Sequence, residues 1–205
     1  MSRPFSGATR IVFQVILIVV GIGLLAVPPL VIALSGVGLS DALWVALRVA
    51  ALEALTLIGI NICVGAFRSV LVRGFNGLTI HRAHVVTDLT GFAVGLAHGL
   101  MAFVFGIAGY TTAAVWTGPA VLLVLVAIII TALTRRRLRR SWRWIHRFNY
   151  LIFGAVLAHG LILGYDLRNE VCLKVWLGIL GAAVVAGLAY RVIGLVAAGG
   201  RRTRD

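Results

Sequence analysis

Residues 11–34, IVFQVILIVVGIGLLAVPPLVIAL, carry one polar side chain, Gln14, in 24 positions. No face of such a segment suits water, and its length meets the ~20 apolar residues a helix needs to cross the hydrocarbon core of a bilayer. Five more runs follow, at roughly 43–66, 84–106, 118–134, 146–165 and 173–197. The fourth is short; it starts at Gly118-Pro119, a common way to begin a helix, and ends at a wall of arginines. Backbone groups inside lipid must bond within their own segment unless a barrel closes. Six such runs therefore predict an all-α membrane protein, a six-helix bundle over 11–198 between a short amino-terminal segment (1–10) and a basic tail (199–205). Composition agrees: 61% of residues are apolar and 12% charged, against about a quarter charged in soluble domains.

The arginines orient the bundle. Arg3 and Arg10 precede the first run. Arg68, Arg73 and Arg82 lie between the second and third, and Arg135, Arg136, Arg137, Arg139, Arg140, Arg143 and Arg147 between the fourth and fifth. Arg201, Arg202 and Arg204 follow the sixth, so 15 of the 19 basic residues share one side. The opposite connections hold Arg168 as their only base, against Asp41, Asp166 and Glu170. By the positive-inside rule both termini are cytoplasmic, in a bacterial-type cytoplasmic (inner) membrane.

Several function classes are excluded. The net charge of +13 would suit nucleic acid, but its arginines sit between apolar runs rather than along one helical face. No connection exceeds about 17 residues, so there is no room for a soluble domain, and no glycine-rich turn lies between a strand and a helix to hold a nucleotide. The first run is too long for a cleavable signal and lacks a small-residue cleavage site after it. Cys63 and Cys172 fall at opposite membrane faces, which rules against a disulfide between them.

Histidines carry the chemistry. The stretch HRAHVVTDLTGFAVGLAHG (81–99) and the stretch WIHRFNYLIFGAVLAHG (144–160) both end in LAHG. Ionisable groups within a span are costly and by default mark function. Runs three and five point the same way, so His84 lies level with His146 and His98 with His159. Spacings of 14 and 13 residues separate the two levels by roughly 20 Å. Two facing imidazoles at each level can supply both axial ligands of two haem irons, a metal set of His84, His98, His146 and His159. The bland alternative is hydrogen-bonded packing. On an ideal helix His146 and His159 stand about 140° apart, so the fifth span is expected to bend, to carry a π-bulge or to approach the haems from its flank, with Gly154 as the expected place of any irregularity.

This pattern, six spans with HRAH…LAHG followed by WRWIHRFNY…LAHG, resembles the ferric reductase-like transmembrane domain family over nearly the whole chain. That family includes ferric reductases, NADPH oxidases and the haem-binding subunit of the bacterial methionine sulfoxide reductase system. The resemblance implies two haems of b type, His84 with His146 on the cytoplasmic side and His98 with His159 outside, and electron flow outward. Trp142 and Tyr150, each four residues from His146, are similar to the methionine sulfoxide reductase subunit, which usually lacks a histidine at the place of His84. No flavin or nicotinamide domain is appended, so the donor would be a separate flavoprotein, a flavin, or a quinol or quinone at the cytoplasmic side.

Around the histidines, Arg48 and Arg147 are expected at haem propionates, Arg168 and Lys174 being further candidates outside. Glu53 has two readings, a partner for Arg48 or a proton site. Asp88 is expected to bond a ligating histidine or Arg82. His81 reads as a headgroup or propionate contact. The arginine block at 135–143 enforces topology and meets anionic lipid. Trp44, Trp116, Trp142, Trp144 and Trp176 fall at run ends and read as interfacial anchors; Trp116 and Tyr110 are secondary candidates for electron exit. The leading function is the membrane electron-transfer subunit of a reductase system, delivering electrons to an extracytoplasmic acceptor. A stand-alone ferric reductase and a haem-containing anchor or assembly subunit of a respiratory complex are the alternatives.

Overall fold

A computed structural model describes residues 5–36, 38–105, 112–139 and 141–202, with 198–202 described by backbone alone. Arg3, Tyr110, Arg140 and Arg204 lie outside them. The described chain forms α1 (Gly7–Ser35), α2 (Ala42–Ala66), α3 (Arg68–Leu71), α4 (Gly77–Val104), α5 (Ala113–Leu133), α6 (Arg135–Leu138), α7 (Ser141–Arg147), α8 (Asn149–Leu163), α9 (Tyr165–Asn169) and α10 (Val171–Arg202). With α7 and α8 counted as one interrupted span, six segments are long and apolar enough to cross a membrane. Among the described residues there is no strand. An even number of spans puts both ends of the chain on one face.

Helix α2 is central. It packs against α1, α4, α8 and α10, while α5 packs against α8 and α4. Its buried residues Leu52, Leu55 and Ile62 join Ile32 of α1, Phe153 of α8 and Trp176, Leu177 and Leu180 of α10 in the larger core. A smaller core joins Val121, Leu125 and Ile128 of α5 to Ile152 of α8.

The helices overrun the apolar stretches. Asn76 caps α4 by accepting from the Thr79 amide at 2.7 Å, so α4 begins seven residues before the expected 84. Helix α5 begins at Ala113, which moves Pro119 from the expected first turn into the helix interior. Helix α10 continues through Arg202, into the segment expected to be a tail. Irregularity in the fifth span lies at Phe148, not Gly154. The Phe148 amide bonds Ile145 O at 3.0 Å, three residues back, and this tighter turn separates α7 from α8.

Trp176 corrects a further expectation. It is 3% exposed rather than interfacial, and its Nε1–H donates to Leu24 O at 3.0 Å. Pro28 sits four residues after Leu24, inside α1, and its missing N–H leaves that carbonyl without its helical partner. The indole satisfies it from another helix, as lipid-facing surroundings require. Trp176→Phe should cost about 1–3 kcal/mol by stranding a buried acceptor. In a Pro28→Ala background, which restores the local N–H, the same substitution should cost less. Unfolding of the four proteins in detergent measures the difference; equal costs in both backgrounds would contradict the assignment.

Candidate functional site

One seam positions the third-span histidines. Gly91, Gly95 and Gly99 recur every fourth residue along α4, the small-residue spacing that brings membrane helices close. A Cβ at Gly91 would stand 3.2 Å from Leu57 Cβ, and one at Gly95 would stand 3.6 Å from Ala54 Cβ, both on α2. The polar pairing continues the seam: Asn61 Nδ2 donates to Asp88 Oδ1 at 3.0 Å, and Thr87 Oγ1 donates to Asn61 Oδ1 at 3.1 Å. His84 and His98 lie at its two ends, each held against α2.

At the termini face, His84 and His146 come together with ring centres 5.8 Å apart and planes at 74°. The Nδ1 atom of each is buried without a hydrogen-bond partner. A Cβ on Gly65 of α2 would be 3.4 Å from His84 Cε1, so the ring occupies space that a side chain there would fill. Trp142, one turn before His146, lies 5.7 Å from it, centre to centre.

At the opposite face, His98 Nδ1 bonds Leu47 O of α2 at 3.1 Å, and His159 Nδ1 bonds Ala114 O of α5 at 2.7 Å. A carbonyl can only accept, so each Nδ1 carries a proton, and the neutral form of each ring has its bare lone pair on Nε2. That is the tautomer of a metal-ligating histidine whose outer nitrogen is anchored to a backbone carbonyl. A Cβ on Gly118 would stand 3.4 Å from His159 Cε1. Helices α4 and α8 make no extended contact; α2 and α5 bridge them, α2 placing Gly65 by His84 and a carbonyl by His98, and α5 placing both Gly118 and a carbonyl by His159.

These features fit a metal held by two imidazoles at the termini face, and at the opposite face they anchor each imidazole singly. With metal–nitrogen bonds of about 2 Å, two such rings have centres about 6 Å apart, and the termini-face pair meets that spacing. The partnerless Nδ1 atoms of His84 and His146 give the same pair unused ligating capacity. Among the described residues no three His, Cys, Asp or Glu side chains cluster; the histidines come in twos.

The surrounding charges are arranged differently from expectation. Arg48 is 7% exposed and donates through Nε and Nη2 to the two oxygens of Asp166, at 2.8 and 2.5 Å. That carboxylate comes from α9, so the buried arginine has an internal anion partner. The expected Arg48–Glu53 pairing is likewise not formed, and Glu53 Oε1 is buried without a partner. Asp88 accepts from Asn61 rather than from a histidine or Arg82. Arg147 is exposed and stacks on Trp144, 4.3 Å from the ring centre. His81 is exposed, as is Trp116. Both cysteines are free.

Arg191 was missed. From α10 its Nη2 donates to Gly65 O at 2.6 Å, in the last turn of α2 beside His84. The signal was available: a lone arginine in an otherwise apolar run.

No known protein family, curated protein or solved structure matches the chain.

Proposed function

We propose that this chain is a di-haem cytochrome of b type, of the ferric reductase-like transmembrane kind, acting as the membrane subunit of a reductase system in a bacterial-type cytoplasmic membrane. His84 and His146 would hold one haem on the cytoplasmic, arginine-rich side, and His98 and His159 a second on the extracytoplasmic side. Bound there, the haems would supply one-electron transfer between a cytoplasmic flavoprotein or quinol donor and an extracytoplasmic acceptor.

The observation that carries this reading is the matched anchoring of His98 and His159, on different helices, through Nδ1 to backbone carbonyls. Packing histidines need no bare Nε2 at a shared depth. The chain's own contribution is to offer these nitrogens in fixed tautomers, to leave room beside them at Gly65 and Gly118, and to exclude water with apolar walls. Low polarity around the site strengthens every remaining charge interaction, which makes Arg191, beside the inner pair, a determinant of its electrostatics.

Proteoliposomes loaded with ferricyanide and exposed outside to dithionite test the function. The wild-type chain should reduce the trapped ferricyanide faster than protein-free vesicles do, and His84→Ala or His98→Ala should each return the rate to that background. Wild-type vesicles as slow as empty ones would overturn the proposal.

A further inference from the structure

A second polar site lies away from the histidines, where the amino-terminal turns of α1 meet the connection between α2 and α4. Arg10, Val72, Arg73, Gly74, Phe75 and Asn76 line a cavity of about 150 Å³ there. Phe5 N bonds Arg73 O at 3.0 Å, and Arg10 Nε and Gln14 Nε2 both donate to Gly74 O, at 2.9 and 2.7 Å. These bonds fix the loop to α1 and consume one nitrogen of Arg10. Arg73 is oriented from its other side, its guanidinium 4.3 Å from the centre of the Phe5 ring. Its Nε is buried and has no hydrogen-bond partner. Two guanidinium groups thus share one small cavity, with no carboxylate among its lining residues. An N–H donor withdrawn from water and left unpaired is costly, and an anion entering the cavity would remove that cost.

Depth identifies the anion. Helix α1 has 29 residues, about 44 Å of helix, against a hydrocarbon core of about 30 Å. Its first turns therefore stand at headgroup level. Below the cavity Ile11, Val12, Val15 and Ile16 of α1 are exposed, each more than half, an apolar track for an acyl chain.

We infer that the cavity between Arg10 and Arg73 binds a phosphate group, that of an anionic phospholipid headgroup. The guanidinium forks match phosphate oxygens in charge and geometry. Lipid bound there clasps α1, through Phe5, Arg10 and Gln14, to the loop that leads into the histidine-bearing α4.

The test is thermal unfolding of the full chain in neutral detergent, titrated with phosphatidylglycerol, phosphatidylcholine or inorganic phosphate. Phosphatidylglycerol should raise the unfolding temperature saturably and phosphatidylcholine should not. A shift reproduced by inorganic phosphate alone supports the phosphate site and assigns it to free phosphate; a shift that needs the lipid assigns it to the headgroup. Arg73→Gln, which removes no hydrogen bond at Nε, should weaken the response about tenfold or more. Asn76→Asp keeps a good capping residue for α4 and puts a negative charge at the cavity, so it should abolish the response even where Arg73→Gln folds poorly. Arg82→Gln, an exposed arginine of α4 on the same membrane face, should leave it unchanged. An unresponsive wild type, an Asn76→Asp variant that responds normally, or equal loss in the Arg82→Gln variant would overturn the site.

Discussion

Arg48→Leu is expected to destabilise the fold by about 3–5 kcal/mol, the cost of leaving a buried charge without its partner. Arg48 and Asp166 are both 7% exposed and joined by two hydrogen bonds, with no bulk water to take over when one is lost. Asp166→Leu should cost a comparable amount. The double variant should recover most of the loss, because an apolar pair of similar volume is often close to neutral in place of a buried ion pair. The pair links α2, one residue past the carbonyl that anchors His98, to α9, seven residues past His159. The single variants should therefore also disturb the outer histidine pair more than the inner one. Chemical unfolding of the four proteins in detergent decides the matter; a double variant as unstable as the sum of the singles would show that the two charges do not act as a unit.

The second large effect is expected at the two glycines that make room for the histidine rings. If the chain holds two haems as proposed, Gly118→Leu should lower the content to about one, and Gly65→Leu should do the same at the other level. No histidine nitrogen is removed in either case. The reason is steric: a Cβ at either position already stands 3.4 Å from a histidine Cε1, that ring being its one cross-helix neighbour within 4 Å among the described residues, and a branched side chain beyond it crowds the ring. Gly118→Ala and Gly65→Ala should therefore retain both haems. Haem quantitation with the visible spectra of all four variants separates this from a general packing defect, which would remove both haems together or neither.

The meeting of His84 with His146 was legible because depth in a membrane follows from counting residues along a helix, whatever the neighbours do. The six spans were legible for a similar reason, since hydropathy reports the lipid directly. Hydropathy does not report where a helix ends. Residues 77–83 are too polar to count as membrane, yet Asn76 caps them into α4, and Pro119 sits inside α5 because a helix tolerates proline where a neighbouring group can adjust.

Partners across the bundle were the unreadable part. Arg48 was expected to need an anion, and it has one, but nothing local to residue 48 points to residue 166. Trp176 looked like an anchor by its position at a run end. The proline that makes its indole necessary is on α1, 148 residues earlier. The break at Phe148 was sought at Gly154 because glycine is the usual suspect, whereas the tighter turn formed three residues after Ile145 without one. The glycine spacing at 91 and 95 was readable and carried more than close packing: it lies along the seam whose two ends are His84 and His98, while Gly99 faces Leu122 of α5.

The haem-to-protein ratio of the purified full-length chain, by the pyridine haemochromogen method, tests the central claim most directly. The account predicts two haems of b type per chain, falling to about one in His98→Ala and in His84→Ala. A chain that carries no haem, or one whose haem content is unchanged by the loss of His98, would contradict it, and the histidines would then have to be read as packing residues.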